Sequence, residues 1–161
     1  MHKIILVDPW KCTGCRMCEV ACSFYHEKEC NPSRSRINVL KLKDDIFLPS
    51  LCQHCEEPLC IDLCFRKAIT RDENGRVLIN YDRCIGCRLC LLCPLGGISV
   101  DVRTGKVIKC DLCGGEPRCV KVCPTKAVEY VRADRSAILR KYLSFQKLAT
   151  ALLYEYRPRR R

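Results

Sequence analysis

The sequence has few of the side chains that normally fill a protein core. Its 161 residues include four Phe, six Tyr and one Trp, and the hydrophobic fraction of 48% counts all 17 cysteines. Large aromatic side chains dominate the energetics of most cores, so their scarcity predicts little conventional core. Cysteine makes up about one residue in nine, a level at which cysteine chemistry dominates the fold. We therefore expect groups bound by sulfur to hold the middle of the molecule.

Long apolar runs are also missing. No run approaches the ~20 residues that span a bilayer, so we expect no transmembrane segment. The apolar run at residues 4–7 ends at Asp8 and Pro9, too short for the core of a signal peptide. We therefore expect a cytoplasmic protein. Cytosolic thiols are kept reduced, so clustered cysteines predict metal sites before disulfides.

Sixteen of the cysteines fall into four groups of four along the chain. Group one is Cys12, Cys15, Cys18 and Cys22; group two is Cys52, Cys55, Cys60 and Cys64; group three is Cys84, Cys87, Cys90 and Cys93; group four is Cys110, Cys113, Cys119 and Cys123. Cys30 is left over, and we expect it to be a free thiol in a loop.

The spacing within the groups favours iron–sulfur clusters. Group one reads C-x2-C-x2-C-x3-C, the spacing of bacterial iron–sulfur proteins. Structural zinc sites usually take two well-separated cysteine or histidine pairs, whereas these cysteines follow one another closely. Group three ends with a gap of x2 in place of x3. On a helix that change turns Cys93 by about 100°, which makes it the least secure ligand.

Short strands are predicted between the groups. Single strands are expected at 4–7, 33–42 and 127–131, and hairpins at 68–81 and 98–108. Gly75 and Gly105 mark the turns of the two hairpins. Each hairpin therefore connects the end of one cysteine group to the start of the next.

The last part of the chain is different in composition. Residues 134–156 contain no cysteine, glycine or proline. Apolar residues recur there at steps of three and four, namely Ile138, Tyr142, Phe145, Ala149, Leu152 and Tyr156. This pattern predicts an amphipathic helix. The helix either packs on the chain's own surface or docks on a larger partner, and the basic tail at 157–161 is expected to be solvated.

Four stretches carry a resemblance to a known family. They are KCTGCRMCEVACSFYHE with the later NPSRSRI, CQHCEEPLCIDLC, YDRCIGCRLCLLCP, and KCDLCGGEPRCVKVCPTKAV. Together they resemble the four-cluster polyferredoxin electron-transfer subunits that partner molybdopterin or tungstopterin oxidoreductases, hydrogenases and carbon monoxide dehydrogenases. The resemblance covers about residues 3–131. The NPSRSRI segment and the small size further resemble the polyferredoxin subunits of tungsten-containing aldehyde oxidoreductases.

The resemblance implies a fold and a set of ligands. The fold is α+β, with an inner ferredoxin-like dicluster module at about 43–100 nested in an outer module at 1–42 plus 101–131. Short β-hairpins connect the cysteine groups, and residues 132–161 form the C-terminal helix and tail. Four [4Fe-4S] clusters are implied, with the ligand sets Cys12, Cys15, Cys18 and Cys123; Cys110, Cys113, Cys119 and Cys22; Cys52, Cys55, Cys60 and Cys93; and Cys84, Cys87, Cys90 and Cys64. Phe65 departs from the family pattern, which often has proline after the last cysteine of group two.

The implied function is electron transfer without catalysis. Such a subunit relays single electrons between a larger catalytic redox subunit and a carrier such as a soluble ferredoxin, and we find no arrangement of catalytic residues. Two alternatives stay open, a free polyferredoxin without a fixed enzyme and a zinc-dependent nucleic-acid-binding protein. The second is suggested by the formal net charge of +11. Each oxidised cluster with its four thiolates carries about −2, so four clusters would offset most of that charge, and we expect no nucleic-acid partner.

Several polar or aromatic residues lie beside the cysteines in sequence. The basic ones either favour the reduced, more negative clusters or are solvated loop charges, and we expect the second; they are Lys11, Arg16, Arg83 and Lys109. His54, inside group two, is expected at the surface. Trp10 and Tyr25 are expected to shield group one from water.

Overall fold

The computed structural model describes residues 3–42 and 45–155, with side chains described up to residue 152 in the last helix. The strands are β1 (Lys3–Val7), β2 (Ile37–Lys41), β3 (Phe47–Leu51), β4 (Ile69–Arg71), β5 (Val77–Ile79), β6 (Ile98–Val100), β7 (Val107–Lys109) and β8 (Val128–Arg132). The helices are α1 (Met17–Glu27), α2 (Leu59–Asp62), α3 (Arg118–Lys121) and α4 (Arg135–Glu155). Short 3₁₀ turns lie at Pro9–Lys11, Pro32–Arg34, Leu89–Leu92 and Leu112–Gly115.

The strands of the described chain pair as four two-stranded antiparallel sheets, β1 with β8, β2 with β3, β4 with β5, and β6 with β7. The last three are local hairpins that connect successive cysteine groups, which confirms the predicted hairpins at 68–81 and 98–108. Gly75 and Gly105 turn them with positive φ values of 79° and 67°. The β1–β8 sheet is different because it joins the two ends of the cysteine-rich region, with Ile5 opposite Tyr130.

The strand predicted at 33–42 is shorter than expected. Pro32–Arg34 forms a 3₁₀ turn whose preceding residue, Asn31, accepts a hydrogen bond from the Ser33 N–H at 3.2 Å. The strand therefore begins only at Ile37. Its partner β3 was missed because Pro49 interrupts the strand pattern. A two-stranded sheet has free edges, where a proline without an N–H is tolerated.

Cysteine contributes directly to both hydrophobic clusters of the core. The first cluster contains Ile5, Val7, Ile37, Leu51, Leu112 and Val128 together with Cys22, Cys110 and Cys119. The second contains Ile69, Val77, Ile98 and Val107 together with Cys60 and Cys90. The clusters are small and rest on short strands, which fits the predicted shortage of conventional core.

The predicted C-terminal helix is confirmed as α4, and of the two open alternatives the exposed apolar stripe disfavours packing of that stripe on the chain's own surface. Ala137 and Leu148 are buried, whereas Ile138, Tyr142 and Phe145 are exposed. α4 packs mainly on β1 and the Pro9–Lys11 turn, and Arg140 also pairs with Glu129 of β8. Because the side chain of Ala137 is short, α4 can lie close to β1. The larger side chains of Ile138, Tyr142 and Phe145 lie on the exposed side of the helix. Tyr156 and the basic tail lie outside the described residues. Among those described, no helix has the length and hydropathy needed to cross a membrane.

Candidate metal centres

The cysteines of the four groups come together as four mixed sets, which we name sites A to D. Site A contains Cys12, Cys15, Cys18 and Cys123. Site B contains Cys22, Cys110, Cys113 and Cys119. Site C contains Cys52, Cys55, Cys60 and Cys93, and site D contains Cys64, Cys84, Cys87 and Cys90. Every site takes three cysteines from one group and one from another. That these sets are cluster ligands stays a prediction.

Site A joins the first cysteine group to the end of the last. Its four sulfurs line one cavity, beside Arg16 and Met17 at the start of α1. Burial, followed by the charges of Cys15 and Cys123, raises the pKa of the Cys12 thiol. Burial and the charge of Glu19 raise the pKa of Cys18 to about 12.

Site B is the most deeply buried of the four. Cys22 comes from α1, and its sulfur accepts a hydrogen bond from the Arg36 N–H at 3.3 Å. Burial raises the pKa of Cys110 well above its usual value, with further contributions from the charges of Cys119 and Cys22. Burial and the charges of Cys22 and Cys113 raise the pKa of Cys119 in the same way. The close contact of α1 with α3 brings these sulfurs together.

Site C includes Cys93, the residue that the shortened spacing had made least secure. Cys93 lines the same cavity as Cys52, Cys55 and Cys60. The segment before it, Leu89–Leu92, is a 3₁₀ turn and not an α-helix. A 3₁₀ turn repeats every three residues, so the missing residue is absorbed there.

Site D lies close to the protein surface. Its four sulfurs line a cavity with Arg66, Ile85, Arg88 and Leu89. Cys87 is exposed, and the Ile85 side chain is 60% exposed. The surface around this site is therefore both apolar and basic.

A shared turn shapes each C-x2-C pair. Its third residue has a positive φ in all four groups: 71° at Gly14, 47° at His54, 72° at Gly86 and 59° at Leu112. This turn directs the backbone N–H towards the first sulfur. The N–H of His54 lies 3.4 Å from Cys52 Sγ, and that of Leu112 lies 3.4 Å from Cys110 Sγ. Backbone donors of this kind favour a thiolate over a thiol.

A second shared turn follows the last cysteine of groups two and four. The N–H of Ala68 donates to Cys64 Sγ, and that of Ala127 donates to Cys123 Sγ, both at 3.2 Å. The residue just before each alanine, Lys67 or Lys126, has a positive φ. At Cys123 the hydrogen bonds that its sulfur accepts outweigh the effect of burial, so the pKa of the Cys123 thiol is lowered.

Gly96 and Gly97 hold the same two positions after Cys93. Gly96 has a φ of 60°, matching the lysines of the other two groups. Gly97 replaces alanine for a steric reason, since a Cβ there would lie 2.6 Å from the Cα of Cys52. The backbone after Cys93 thus follows the pattern of the other groups, and the irregularity lies only before it.

The donor chemistry of these sites fits [4Fe-4S] clusters. Four cysteines are the usual ligand set of such a cluster. Several thiols have raised pKa values, among them Cys60 at about 11 because of burial and the charge of Cys52. Four thiolates in one buried place would repel one another and lack solvation, so this deprotonated set is stable only when a metal takes up its negative charge, and a coordinating thiol is deprotonated outright.

The sites are arranged in series. Cys18 of site A packs against the hydrophobic cluster that contains Cys22, Cys110 and Cys119 of site B. Cys52 of site C packs against the same cluster. Cys60 of site C and Cys90 of site D belong to one hydrophobic cluster. The order of neighbours is therefore A, B, C, D.

A histidine beside site B was not recognised from the sequence. His26 Nε2 lies 3.8 Å from Cys113 Sγ and 3.4 Å from Asp111 Oδ1. Burial and the charge of Arg36 lower the pKa of His26 to about 4. The imidazole is therefore neutral and can form a hydrogen bond with Cys113 Sγ. Its position one helical turn after Cys22 on α1 was the available signal.

The prediction that aromatic residues shield group one is wrong for Trp10 and stays a prediction for Tyr25. Trp10 is 48% exposed because the Pro9–Lys11 turn presents it to solvent. Tyr25 packs edge-on against His26, with ring centroids 4.8 Å apart. It therefore lies beside site B, because α1 carries the residues after Cys18 away from site A.

Two polar residues expected in solvent are buried. His54 is 1% exposed, because its positive φ turns the ring inward, where Nδ1 accepts the Val77 N–H at 3.0 Å. Lys109 is 4% exposed, since it ends β7 underneath the β4–β5 hairpin. Arg16 and Arg83 are exposed as predicted, and so is the spare Cys30.

Comparison with known proteins decides the family. The model of the 4Fe-4S dicluster domain matches residues 43–133, more than half of the chain. The chain belongs to the 4Fe-4S dicluster domain family. The matched region of this dicluster domain protein contains cysteine groups two to four. Membership confirms the iron–sulfur interpretation of the cysteine groups, whereas the number of clusters and their ligands stay predictions.

Relatives of this dicluster domain protein are similar over most of its length. The polyferredoxin-like subunit of aliphatic sulfonate oxidoreductase from Pyrococcus furiosus is 43% identical over 121 residues, 74% of this chain and 70% of the relative. The putative electron transport protein YsaA of Escherichia coli K12 is 36% identical, over 84% of this chain and 93% of the relative. The thiosulfate reductase electron transfer subunit PhsB of Salmonella typhi is 36% identical, over 85% of this chain and 79% of the relative. These names confirm the resemblance to polyferredoxin electron-transfer subunits.

Proposed function

We propose that this protein is a non-catalytic electron-transfer subunit that holds four [4Fe-4S] clusters, one at each of sites A to D. The observation that carries the proposal is the arrangement of sixteen cysteines as four neighbouring sets of four. When bound, each cluster supplies reversible one-electron chemistry. A series of such sites provides a path for electrons through the protein.

The residues of the chain contribute binding and electrostatics. Sixteen thiolates hold the iron, and the two shared turns direct backbone N–H groups at the sulfurs. Hydrogen bonds to sulfur and solvent exposure both tune the potential of an iron–sulfur centre. The buried site B and the more exposed site D therefore present different environments.

The nested arrangement of modules is part of the proposal. Its support is that β1 pairs with β8 and α1 contacts α3, so the two outer segments fold against each other. The hairpin β4–β5 lies within the inner segment, together with sites C and D. We infer an inner module at about 43–100, an outer module at 1–42 plus 101–131, and a separate C-terminal part at 132–161.

The proposed partners are a larger catalytic redox subunit and a small electron carrier such as a ferredoxin. Relatives named as subunits of oxidoreductases support the first, and a molybdopterin or tungstopterin enzyme is the class we favour. The finer assignment to a tungsten-containing aldehyde oxidoreductase rests on the NPSRSRI segment and the small size of the chain. The exposed apolar side chains of α4, among them Ile138 and Tyr142, provide a face for the catalytic subunit.

Anaerobic native purification tests this function. The preparation is divided for iron and sulfide analysis, size-exclusion chromatography and mass spectrometry of co-eluting chains. A brown protein that elutes with a larger redox enzyme is the expected result. A monomer with full iron content would instead identify a free polyferredoxin. A colourless zinc protein with salt-sensitive binding to DNA or RNA would contradict the proposal.

A further inference from the structure

Lys109 carries a buried positive charge between two of the cysteine sites. It is the last residue of β7, and the next residue is Cys110 of site B. Its side chain reaches the β4–β5 hairpin. The ammonium donates to the carbonyl oxygen of Val77 and, at 3.0 Å, to that of Cys110.

The described partners of this ammonium include no carboxylate. Both are neutral carbonyl oxygens, and the residue is only 4% exposed. Burying a cation is costly unless a negative charge lies nearby. The buried ammonium of Lys109 therefore needs an anion nearby, and no described carboxylate bonds to it.

Site C lies where that anion is needed. Val77, whose carbonyl accepts a hydrogen bond from the ammonium, packs in the same hydrophobic cluster as Cys60 of site C. Val77 also lines the site C cavity together with Cys60. A set of four thiolates around iron has a net negative charge, which matches the cation.

We propose that Lys109 is the counter-ion of the iron–thiolate centre at site C and that its charge favours the reduced form of that centre. The inference rests on the proposed function, because it requires a cluster at site C. Lys109 would touch neither iron nor sulfur, so it is a positioning residue. A fixed cation in a dry environment stabilises an added electron far more than the same charge in water.

Lys11 provides a matched control within the same chain. It stands directly before Cys12, as Lys109 stands directly before Cys110. Its side chain is 45% exposed, and it lies 3.7 Å from Asp8 and 3.5 Å from Glu129. Solvent and these carboxylates screen its charge, so removing that charge has little effect on any cluster.

The experiment compares Lys109→Met, Lys109→Arg and Lys11→Met with the unaltered holoprotein. Each protein is purified anaerobically and analysed for iron and sulfide, and its clusters are followed by electron paramagnetic resonance during a redox titration. In Lys109→Met we expect the reduction equilibrium of one cluster to fall about tenfold, a midpoint shift of about 59 mV to more negative potential. Lys109→Arg and Lys11→Met should keep the midpoints of the unaltered protein.

Failure of this inference and failure of the proposed function would give different results. Selective loss of one cluster in Lys109→Met, with full iron in Lys109→Arg, also supports a counter-ion. Unchanged midpoint potentials and full iron content in Lys109→Met would overturn the inference. A midpoint shift or iron loss in Lys109→Arg as large as that in Lys109→Met would also overturn it. Failure of the proposed function would appear earlier, as missing iron or sulfide in the unaltered protein.

Discussion

Arg34 and Asp101 form a buried ion pair that links parts of the chain 67 residues apart. Arg34 Nε donates to Asp101 Oδ1 at 2.7 Å, and Nη2 donates to Oδ2 at 2.9 Å. The guanidinium holds the pKa of the Asp101 carboxyl well below its usual range. Glu27 and Glu29 also pair with Arg34, at 2.8 and 2.9 Å. The pair fixes the loop after α1 against the turn of the β6–β7 hairpin.

Replacing Arg34 with methionine should lower the temperature at which the visible cluster absorption bleaches. The change leaves the buried Asp101 carboxylate without its partner, and such a charge is strongly destabilising. Arg103→Met is the control, since the Arg103 side chain is 65% exposed and pairs with the same Glu29. Equal bleaching temperatures for both variants would contradict a special role for the buried pair.

Cys93→Ser should remove one cluster, about four iron atoms per chain, because Cys93 lines the site C cavity. Cys30→Ser should keep all of the iron, because Cys30 is exposed and outside the four sites. Iron and sulfide analysis of the anaerobic proteins measures the difference. Full iron in Cys93→Ser would show that another residue completes site C.

Gly97→Ala should also damage site C, although it changes no ligand. Its Cβ would lie 2.6 Å from the Cα of Cys52, so the backbone of the site must shift. At Gly114 an added Cβ meets nothing within 4 Å, and Gly114→Ala carries only the cost of its φ of 72°. Cluster loss during brief exposure to air should be faster in Gly97→Ala. The same rate in both variants would mean that site C tolerates the shift.

Replacing Ile138 and Tyr142 together with serine should weaken attachment to the catalytic subunit without loss of iron. Both side chains are more than half exposed on α4 and contribute little to the protein's own packing. Gln146→Ser on the same helix is a polar control. Size-exclusion chromatography of the native complex gives the readout. An unchanged complex in the double variant would assign docking to another surface.

Sequence spacing was enough to predict the hairpins and the cysteine groups. Gly75 and Gly105 mark turns that short strands can close locally, so no distant contact decides them. The position of Cys93 was less predictable. An α-helix and a 3₁₀ turn would place its side chain differently, and the sequence of the four preceding residues is compatible with either conformation. The packed face of α4 depended on Ala137 meeting β1, a tertiary contact that periodicity alone does not reveal.

Burial of polar residues was the hardest feature to predict. His54 and Lys109 stand beside cysteines in segments that resemble exposed loops. Both are buried because the chain folds the β4–β5 hairpin over them, with Val77 contacting each. A sequence pattern contains no sign of which strand from elsewhere will cover a loop.

The iron and acid-labile sulfide content of the anaerobically purified protein shows how many clusters the sixteen cysteines hold. Four [4Fe-4S] clusters correspond to about 16 iron and about 16 sulfide per chain, without zinc. Half of that content, at full protein integrity, would contradict a cluster at each of the four sites. Zinc in place of iron and sulfide would contradict the electron-transfer function itself.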